Sequence, residues 1–123
     1  MPFQYILANL LSEAEESVGV LFLDENGEAV EVSCSDLSPN EMKIVGAYLS
    51  IYLRQLERLF ESASFGRTSL LHIESAGLHI YASPLPEGYF LVLVQRNPAL
   101  VGKARRSLLR ASDELARELF EMM

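Results

Sequence analysis

The chain has 123 residues, a length that fits one domain, so we expect residues 1–123 to form a single domain. Half of the residues are hydrophobic, which is enough to build a core without disulfides or a structural metal. The formal net charge of −7 disfavours nucleic acid as a partner, because phosphate binding needs a surplus of Lys and Arg.

The chain begins with a predicted helix and a β-hairpin. Residues 2–16 place apolar side chains at helical spacing, which predicts an amphipathic helix. Residues 18–24 then form a nearly unbroken apolar run, followed by Asn26-Gly27. The Asn-Gly pair predicts a two-residue type I′ turn, because both positions of that turn need positive φ. Such a turn would pair apolar residues across the hairpin: Leu23 with Val30, and Leu21 with Val32.

A second, longer helix is predicted to begin after Ser38. Ser38 can accept a hydrogen bond as the N-cap, and Pro39 suits the first helical position. Glu41, three residues after the cap, completes a capping-box pattern. The apolar periodicity predicts that this helix continues to about Ser62.

A second hairpin and one further strand follow. Residues 68–75 and 78–83 alternate around Ala76-Gly77, which predicts two paired strands. The expected register sets Ile73 against Ile80 and Leu71 against Ala82 on one face, with Glu74 against His79 and His72 against Tyr81 on an opposite, polar face. Residues 89–94 are apolar throughout, which is typical of a strand covered on both faces.

The last predicted element is a helix that Asn97-Pro98 would cap. Its inward positions are predicted to be Val101, Ala104, Leu108, Ala111, Leu115 and Leu119. The element order is therefore α-β-β-α-β-β-β-α, an α/β sandwich of the α+β class. We expect one five-stranded, mainly antiparallel sheet with helices on both faces. The first and last strands should be central, and the three alternating strands should lie nearer the edges.

The second helix has more apolar surface than one sheet needs. Residues 44–53 contain no charged side chain. At about 100° per residue, one wide stripe contains Met42, Val45, Leu49, Tyr52, Leu53, Leu56 and Phe60. A neighbouring flank contains Ile44, Tyr48, Ile51 and Gln55, and the polar sector contains Lys43, Ser50, Arg54, Glu57, Arg58 and Glu61. The stripe can pack against the sheet, but the apolar side chains of the flank must be buried against another element. A second copy of the helix meets that need in a two-fold dimer, and a neighbouring element of the same chain is the alternative.

The order of elements resembles that of a known family. An amphipathic helix precedes Val-Gly-Val-Leu-Phe-Leu-Asp-Glu-Asn-Gly-Glu-Ala-Val at residues 18–30, which looks like a hairpin with an Asp-x-x-Gly turn. A long capped helix, a hairpin, an apolar strand and a final helix follow. This layout is similar to the Roadblock family, which includes dynein light chains and bacterial gliding-motility regulators, and the likeness extends from about Phe3 to Phe120.

The resemblance implies a homodimer. In the family, the second helices pack antiparallel and the third strands pair into one sheet across the two-fold axis. By position, the helix seam would contain Ile44, Tyr48, Ile51 and Gln55. The strand seam would lie within residues 68–74 and would contain Leu70, His72 and Glu74.

The resemblance also implies a partner protein. Bacterial members of the family regulate or scaffold small Ras-like GTPases, and they bind them with the surface around the paired second helices. The corresponding residues here would be Lys43, Ala47, Ser50, Arg54 and Arg58. An ordinary solvated helix face is the other interpretation of this mildly basic strip.

The sequence offers little support for catalysis. The phosphate-binding pattern Gly-x-x-x-x-Gly-Lys-Ser/Thr is absent, so we expect no nucleotide site. Cys34 with His72 or His79 could supply a nucleophile and a base, but no local signature accompanies them. We expect the two histidines to pair with Tyr81 and Glu74 rather than with each other, and two histidines without a third ligand are a poor metal site. We therefore expect a non-enzymatic protein without cofactor or metal.

Composition also suggests a compartment. Cys34 is the single cysteine, and neither a signal-peptide pattern nor an apolar run long enough to cross a bilayer is visible. These observations favour a cytoplasmic protein that does not insert into a membrane.

Two alternative functions remain open at this level. A small-molecule-sensing α/β module would need a cavity between sheet and helix with convergent polar groups. A hydrolase would have to depend on Cys34.

Overall fold

The computed structural model describes residues 2–64, 66, 69–75, 77–96 and 100–122. Within them the chain forms the predicted order of elements: α1 (Pro2–Glu13), β1 (Ser17–Leu23), β2 (Ala29–Cys34), α2 (Pro39–Ser62), β3 (Leu71–Glu74), β4 (Leu78–Pro84), β5 (Phe90–Arg96) and α3 (Val101–Met122). A short 3₁₀ turn, Pro86–Gly88, joins β4 to β5. The predicted cap at Asn97-Pro98 lies outside the described residues.

The five strands form one antiparallel sheet in the order β2-β1-β5-β4-β3. As predicted, β1 and β5 are interior strands and helices cover both faces. The placement of β4 near an edge is wrong, because β4 lies between β5 and β3. Alternation in β4 does not mark an exposed face here, since polar side chains on this strand are buried with hydrogen-bond partners.

The first hairpin turn differs from the prediction. Leu21 pairs with Val32 as expected, but Leu23 pairs with Ala29, after a register shift between residues 22 and 23. The Asp24 carboxylate explains the longer turn, because it accepts hydrogen bonds from the backbone N–H groups of residues 26 and 28, at 2.9 and 3.0 Å. Gly27 adopts a φ of +80°, which glycine reaches without steric cost.

The second hairpin has the predicted register. Its partners are Leu71 and Ala82, His72 and Tyr81, Ile73 and Ile80, and Glu74 and His79. The predicted strand position 68 and the predicted turn position 76 lie outside the described residues. The prediction that His79 and Tyr81 lie on a polar face is wrong, because both are buried and Tyr81 belongs to the core beneath α1 and α3.

The helices α1 and α3 share one face of the sheet. Their core includes Phe3, Leu7 and Leu10 from α1 together with the predicted inward positions of α3, of which Val101 is half-buried and the others are buried. Phe3 meets Phe22 of β1 edge to face, with ring centroids 5.0 Å apart. Ion pairs Lys103–Glu15 and Arg110–Glu13, at 3.3 and 3.6 Å, lie at the exposed boundary of the two helices. α1 and α3 therefore both lie on the face that α2 does not occupy.

The helix α2 packs on the opposite face, against β1 and β2. Its buried residues are Met42, Gly46, Leu49, Ser50 and Leu53. The predictions of a buried Tyr52 and a polar-sector Ser50 are both wrong, because Tyr52 is exposed and Ser50 is 4 % exposed. Small residues at positions 46 and 50 explain the rotation, since they allow the helix its closest approach to the sheet.

Candidate functional site

The start of α2 is fixed by the capping box that the sequence predicts. The Glu41 backbone N–H donates to Ser38 Oγ at 3.1 Å, and the Ser38 N–H donates to a Glu41 carboxylate oxygen at 3.2 Å. Pro39 occupies the first turn. These contacts satisfy backbone donors that a helix start otherwise leaves unpaired, so they define where the helix begins.

Two small residues set the rotation of α2 on the sheet. Gly46 faces Leu21 and Leu23, and a β-carbon at position 46 would overlap the Leu21 side chain. Ser50 lies against Gly27 of the first hairpin, and its hydroxyl donates to the Ala47 carbonyl at 2.9 Å. This rotation determines which apolar residues of the helix point away from the sheet.

The side of α2 that points away from the sheet is strongly apolar. We define the outer face of α2 as its five large exposed apolar residues together with the neighbouring Gln55: Ile44, Tyr48, Ile51, Tyr52, Leu59 and Gln55. The five apolar side chains are between 53 % and 61 % exposed. The predicted helix-seam residues therefore lie together on one exposed surface. Isolated exposed apolar residues are ordinary, but a contiguous patch marks an interaction surface.

The predicted basic strip beside this face does not hold together as one surface. Lys43, Ala47 and Arg58 are exposed, as a binding surface requires. Ser50 is buried against the first hairpin, so its assignment to a partner-binding surface is wrong. Arg54 is half-buried, and its guanidinium carbon lies 6.0 Å from the centre of the Phe90 ring. The exposed positive charge beside the outer face is therefore that of Lys43 and Arg58.

Strand β3 borders the sheet on the side away from β2. Among the described residues it pairs only with β4, so its outer row of backbone groups faces no strand. Leu71 packs with the core beneath α2, and Ile73, two residues further along the same face, is 41 % exposed. The α2-side of the sheet thus continues beyond the area that α2 covers, and it remains apolar there.

The predicted strand-seam residues differ in their environments. Leu70 precedes β3, is half-buried, and packs against the core on the α1 and α3 side. His72 is half-buried and Glu74 is exposed, both within β3. All three therefore lie in or beside the strand at the open edge, and His72 and Glu74 alternate with the apolar residues of the other face.

A polar cluster joins β3 to β4. His72 Nε2 and His79 Nδ1 are 3.0 Å apart, so the two rings share a hydrogen bond. The predicted cross-strand partners, Tyr81 for His72 and Glu74 for His79, are confirmed. The prediction that the histidines do not pair with each other is wrong, because their rings meet diagonally across the register. The His72 ring also lies 4.5 Å from the Tyr81 ring, with 15° between their planes. Burial lowers the pKa of His72 below its ordinary value of 6.5, with a further lowering by His79 and Arg105 and a partial opposing effect of Glu74.

The buried hydroxyl of Tyr81 extends this cluster into the core. It donates to Gln95 Oε1 at 2.6 Å, and Gln95 Nε2 donates to the Glu15 carbonyl at 2.7 Å. Burial is also the main reason why the pKa of Tyr81 is raised above 10.0. The chain of contacts links β4 through β5 to the turn that follows α1. Sequence reasoning missed it, because its members are distant along the chain.

The structure separates the residues considered for catalysis. Cys34 ends β2 on the α2 side of the sheet, whereas His72 lies in β3 at the opposite edge. With about 4.8 Å between neighbouring strands, four strand spacings place them roughly 19 Å apart. Cys34 and the histidines therefore do not form a nucleophile–base pair. Across the described ranges, no three side chains among His, Cys, Asp and Glu come together to hold a metal ion.

A groove lies at the far end of α2. It has a volume of about 470 Å³ and lies between Glu57 and Glu61 of α2 and the connection from Pro84 to Gly88, with Phe90 beside it. The groove lies where the end of α2 meets the β4–β5 connection, whereas the small-molecule-sensing alternative requires a cavity between the body of the helix and the sheet. The space under α2 is filled by apolar side chains. Of the helices in the described part of the chain, none combines the length and apolar character needed to span a bilayer.

Comparison with known proteins gives matches in structure alone. No protein-family model matches the chain, and no curated protein is significantly similar in sequence. A structure described as MglB with tetrameric arrangement is 20 % identical, with 99 % of this chain and 93 % of that chain covered at a TM-score of 0.88. Myxococcus xanthus MglB is 16 % identical, with 99 % and 90 % covered at a TM-score of 0.89.

A third structure, a Roadblock/LC7 domain from Streptomyces avermitilis, is 15 % identical. The alignment covers 95 % of this chain and 97 % of that domain, with a TM-score of 0.82. The similarity includes the helices on both faces and the whole five-stranded sheet. The chain therefore has the Roadblock/LC7 fold that its sequence resembles.

Proposed function

We propose that this protein is a non-catalytic regulator or scaffold that forms a homodimer and binds a small Ras-like GTPase. The observation that carries the proposal is the outer face of α2, an exposed apolar surface on the same side of the sheet as the exposed Ile73 of the edge strand β3. We further propose that residues 1–123 act as one domain in the cytoplasm, in keeping with the acidic composition and the single cysteine.

The apolar outer face favours association. Ile44, Tyr48 and Ile51 are each more than half exposed, on three successive turns of one helix. Burying these side chains in two copies would contribute on the order of several kcal/mol before the entropic cost of association. A two-fold arrangement suits the surface, because the same patch then covers itself in both copies.

The open sheet edge favours the same arrangement. In the described part of the chain no strand lies beyond β3, and a second β3 would pair with its outer backbone groups in antiparallel fashion. Ile73 lies beside this edge on the α2-side of the sheet and is 41 % exposed. A partner helix lying beside α2 would cover that part of the sheet. One partner molecule would thus cover the outer face of α2 and the sheet surface beside β3.

The proposal of a GTPase partner rests on the family that the sequence resembles and on the likeness to MglB structures. The surface proposed here is the part of α2 around Lys43, Ala47 and Arg58, which stays exposed beside the outer face. The chain is acidic overall, so two exposed cations there are a local exception to its charge. Charges at the rim of an interface act mainly on the association rate and on the choice of partner.

Sedimentation equilibrium at micromolar concentration tests the homodimer. We expect twice the mass of the chain for the wild type and the mass of one chain for Ile51→Glu, because a buried, unpaired carboxylate opposes association. Leu109→Glu is the matched control, since Leu109 is also exposed but lies on α3, across the sheet. A monomeric wild type, or an Ile51→Glu variant that remains a dimer, would contradict the proposed seam.

Nucleotide hydrolysis and binding assays test the partner. Each Ras-like GTPase of the same genome is loaded with GTP, and its binding to the dimer and its hydrolysis rate are measured. We expect one of them to bind, and Lys43→Glu or Arg58→Glu to slow the association. Arg117→Glu, an exposed site on α3, is the charge-matched control. A stable dimer that binds none of these GTPases would contradict the GTPase part and leave the homodimer standing.

A further inference from the structure

The contact between His72 and His79 lies in the strand pair that forms the open edge of the sheet. His72 belongs to β3, and His79 belongs to β4 and is 4 % exposed. Their facing nitrogens, Nε2 and Nδ1, are 3.0 Å apart. The ring centroids are 5.2 Å apart with 28° between the planes, so the rings lie close together with little water between them.

This contact depends on the number of protons that the two rings hold. One ring must donate its N–H and the other must accept with a bare nitrogen. A neutral pair meets that condition, and so does a pair with one extra proton. When both rings are imidazolium, both facing nitrogens hold hydrogens and both rings are positively charged. The hydrogen bond is then lost, and two like charges face each other at the same distance.

The surrounding charges set when that second proton arrives. Glu74 on β3 favours protonation of His72, whereas Arg105 on α3 and His79 on β4 oppose it. Tyr81, the remaining ionisable neighbour on β4, stacks on the His72 ring and stays neutral near pH 7 because its pKa is raised above 10.0. Burial is the largest cause, and together with these charges it lowers the pKa of His72 below 6.5, which places the change on the acidic side of neutrality.

The alignment of β3 depends on its contacts with β4. β3 has four residues, and His72 is an inner one of them. Within the described chain, β4 is the strand that β3 pairs with. In so short a strand, a side-chain contact is one of only a few interactions that hold the strand in register, so its loss weakens the attachment of β3 to β4.

We propose that the His72–His79 pair makes self-association through the β3 edge sensitive to pH, because a doubly protonated pair releases β3 from β4 and removes the strand that a second copy needs. This inference rests on the homodimer proposed above. It adds a regulation to that interface: the dimer is stable at neutral pH and dissociates under mild acid.

The test is the dimer dissociation constant of the full chain, measured by sedimentation between pH 7.5 and pH 5.5 at constant ionic strength. Uptake of one proton on dissociation changes that constant by up to about tenfold per pH unit. We expect weakening as the pH falls below 6.5, the ordinary value for histidine. The His72→Gln variant, which keeps a hydrogen-bonding side chain without a titrating ring, should show a flat profile.

Two further measurements distinguish protonation of the His72–His79 pair from an overall destabilisation of the protein at low pH. In Glu74→Gln the carboxylate that favours protonation of His72 is gone, so the dimer should begin to weaken at a lower pH than in the wild type. The imidazole proton resonances of His72 in the wild type should titrate in step with dissociation. A dimer whose dissociation constant is unchanged across the range, or rises equally in His72→Gln as the pH falls, would overturn the inference alone. A monomer at every pH would overturn the homodimer and this inference together.

Discussion

Gly46 of α2 lies so close to Leu21 of β1 that a single added methyl group would overlap the leucine side chain. The same methyl group would lie 3.0 and 3.1 Å from the two terminal carbons of Leu23. The glycine lowers the intrinsic helix propensity of α2, but it permits the close approach that directs Ile44, Tyr48 and Ile51 outward.

We expect Gly46→Ala to lower the free energy of unfolding by about 1–2 kcal/mol, because the overlap outweighs the gain of about 1 kcal/mol in helix propensity. Gly102→Ala is the matched control. Gly102 is exposed on α3, and a β-carbon there would lie 3.7 Å from the nearest atom, Arg106 Nη1. The control should be stabilised by up to about 1 kcal/mol. Urea unfolding of both variants tests this prediction. An equal gain in unfolding free energy in the two variants would contradict the close packing of α2.

The hydrogen bond from Tyr81 to Gln95 gives a second prediction. In Tyr81→Phe the buried Gln95 Oε1 loses its donor, and we expect a loss of about 1–3 kcal/mol in unfolding free energy. Tyr5→Phe removes the same hydroxyl from an exposed position on α1 and should change stability by less than about 0.5 kcal/mol. Equal effects of the two substitutions in thermal and denaturant unfolding would show that the buried contact has no net stabilising effect.

The capping box of α2 gives a third prediction. Ser38→Ala removes the acceptor of the Glu41 N–H and should lower the unfolding free energy by about 1 kcal/mol. Ser38→Asp keeps an acceptor at the N-cap and adds a negative charge at the positive end of the helix dipole, so it should preserve stability. Denaturant unfolding monitored by circular dichroism measures both. If alanine and aspartate were equally destabilising, the cap would have no role in stability.

The lowered pKa of His72 gives a prediction for the pH dependence of stability. Near pH 6.5 the unfolded chain binds more protons at this residue than the folded chain does, because burial disfavours the folded imidazolium. The contribution of His72 is therefore complete above pH 6.5 and is lost as the pH falls from 6.5 through the lowered folded value. Urea unfolding of wild type and His72→Gln, at a fixed protein concentration and over a range of pH, isolates the contribution of His72 to the free energy of unfolding. A stability advantage of the wild type over His72→Gln that grows as the pH falls below 6.5 would contradict the sign.

Local signals explain what the sequence predicted well. The capping box around Ser38, the spacing of apolar residues in α3 and the alternation in the second hairpin each depend on neighbours within a few residues, so element order and the register of β3 and β4 followed from them. The exposed side of α2, with Ile44 and Tyr48, also followed, because its apolar residues outnumber what one sheet can cover.

Tertiary contacts explain what the sequence did not predict. Ser50 is buried because Gly27 of a distant hairpin leaves room for it, and hydrophobicity alone gives no hint of that space. The turn at Asp24 gains length because its side chain binds two backbone N–H groups. His72 and His79 are not register partners, so their contact depends on side-chain rotamers that strand pairing does not determine.

The length of α2 has a practical consequence for watching assembly in solution. The helix has 24 residues, and the buried residues within it end at Leu53. At 1.5 Å per residue, the last third extends roughly 13 Å past that point and is held by half-buried side chains such as Leu56 and Phe60. So short a helical stretch is marginal in water by itself. Amide exchange in residues 54–62 should therefore slow when another molecule covers them, which makes this segment a label-free reporter of assembly.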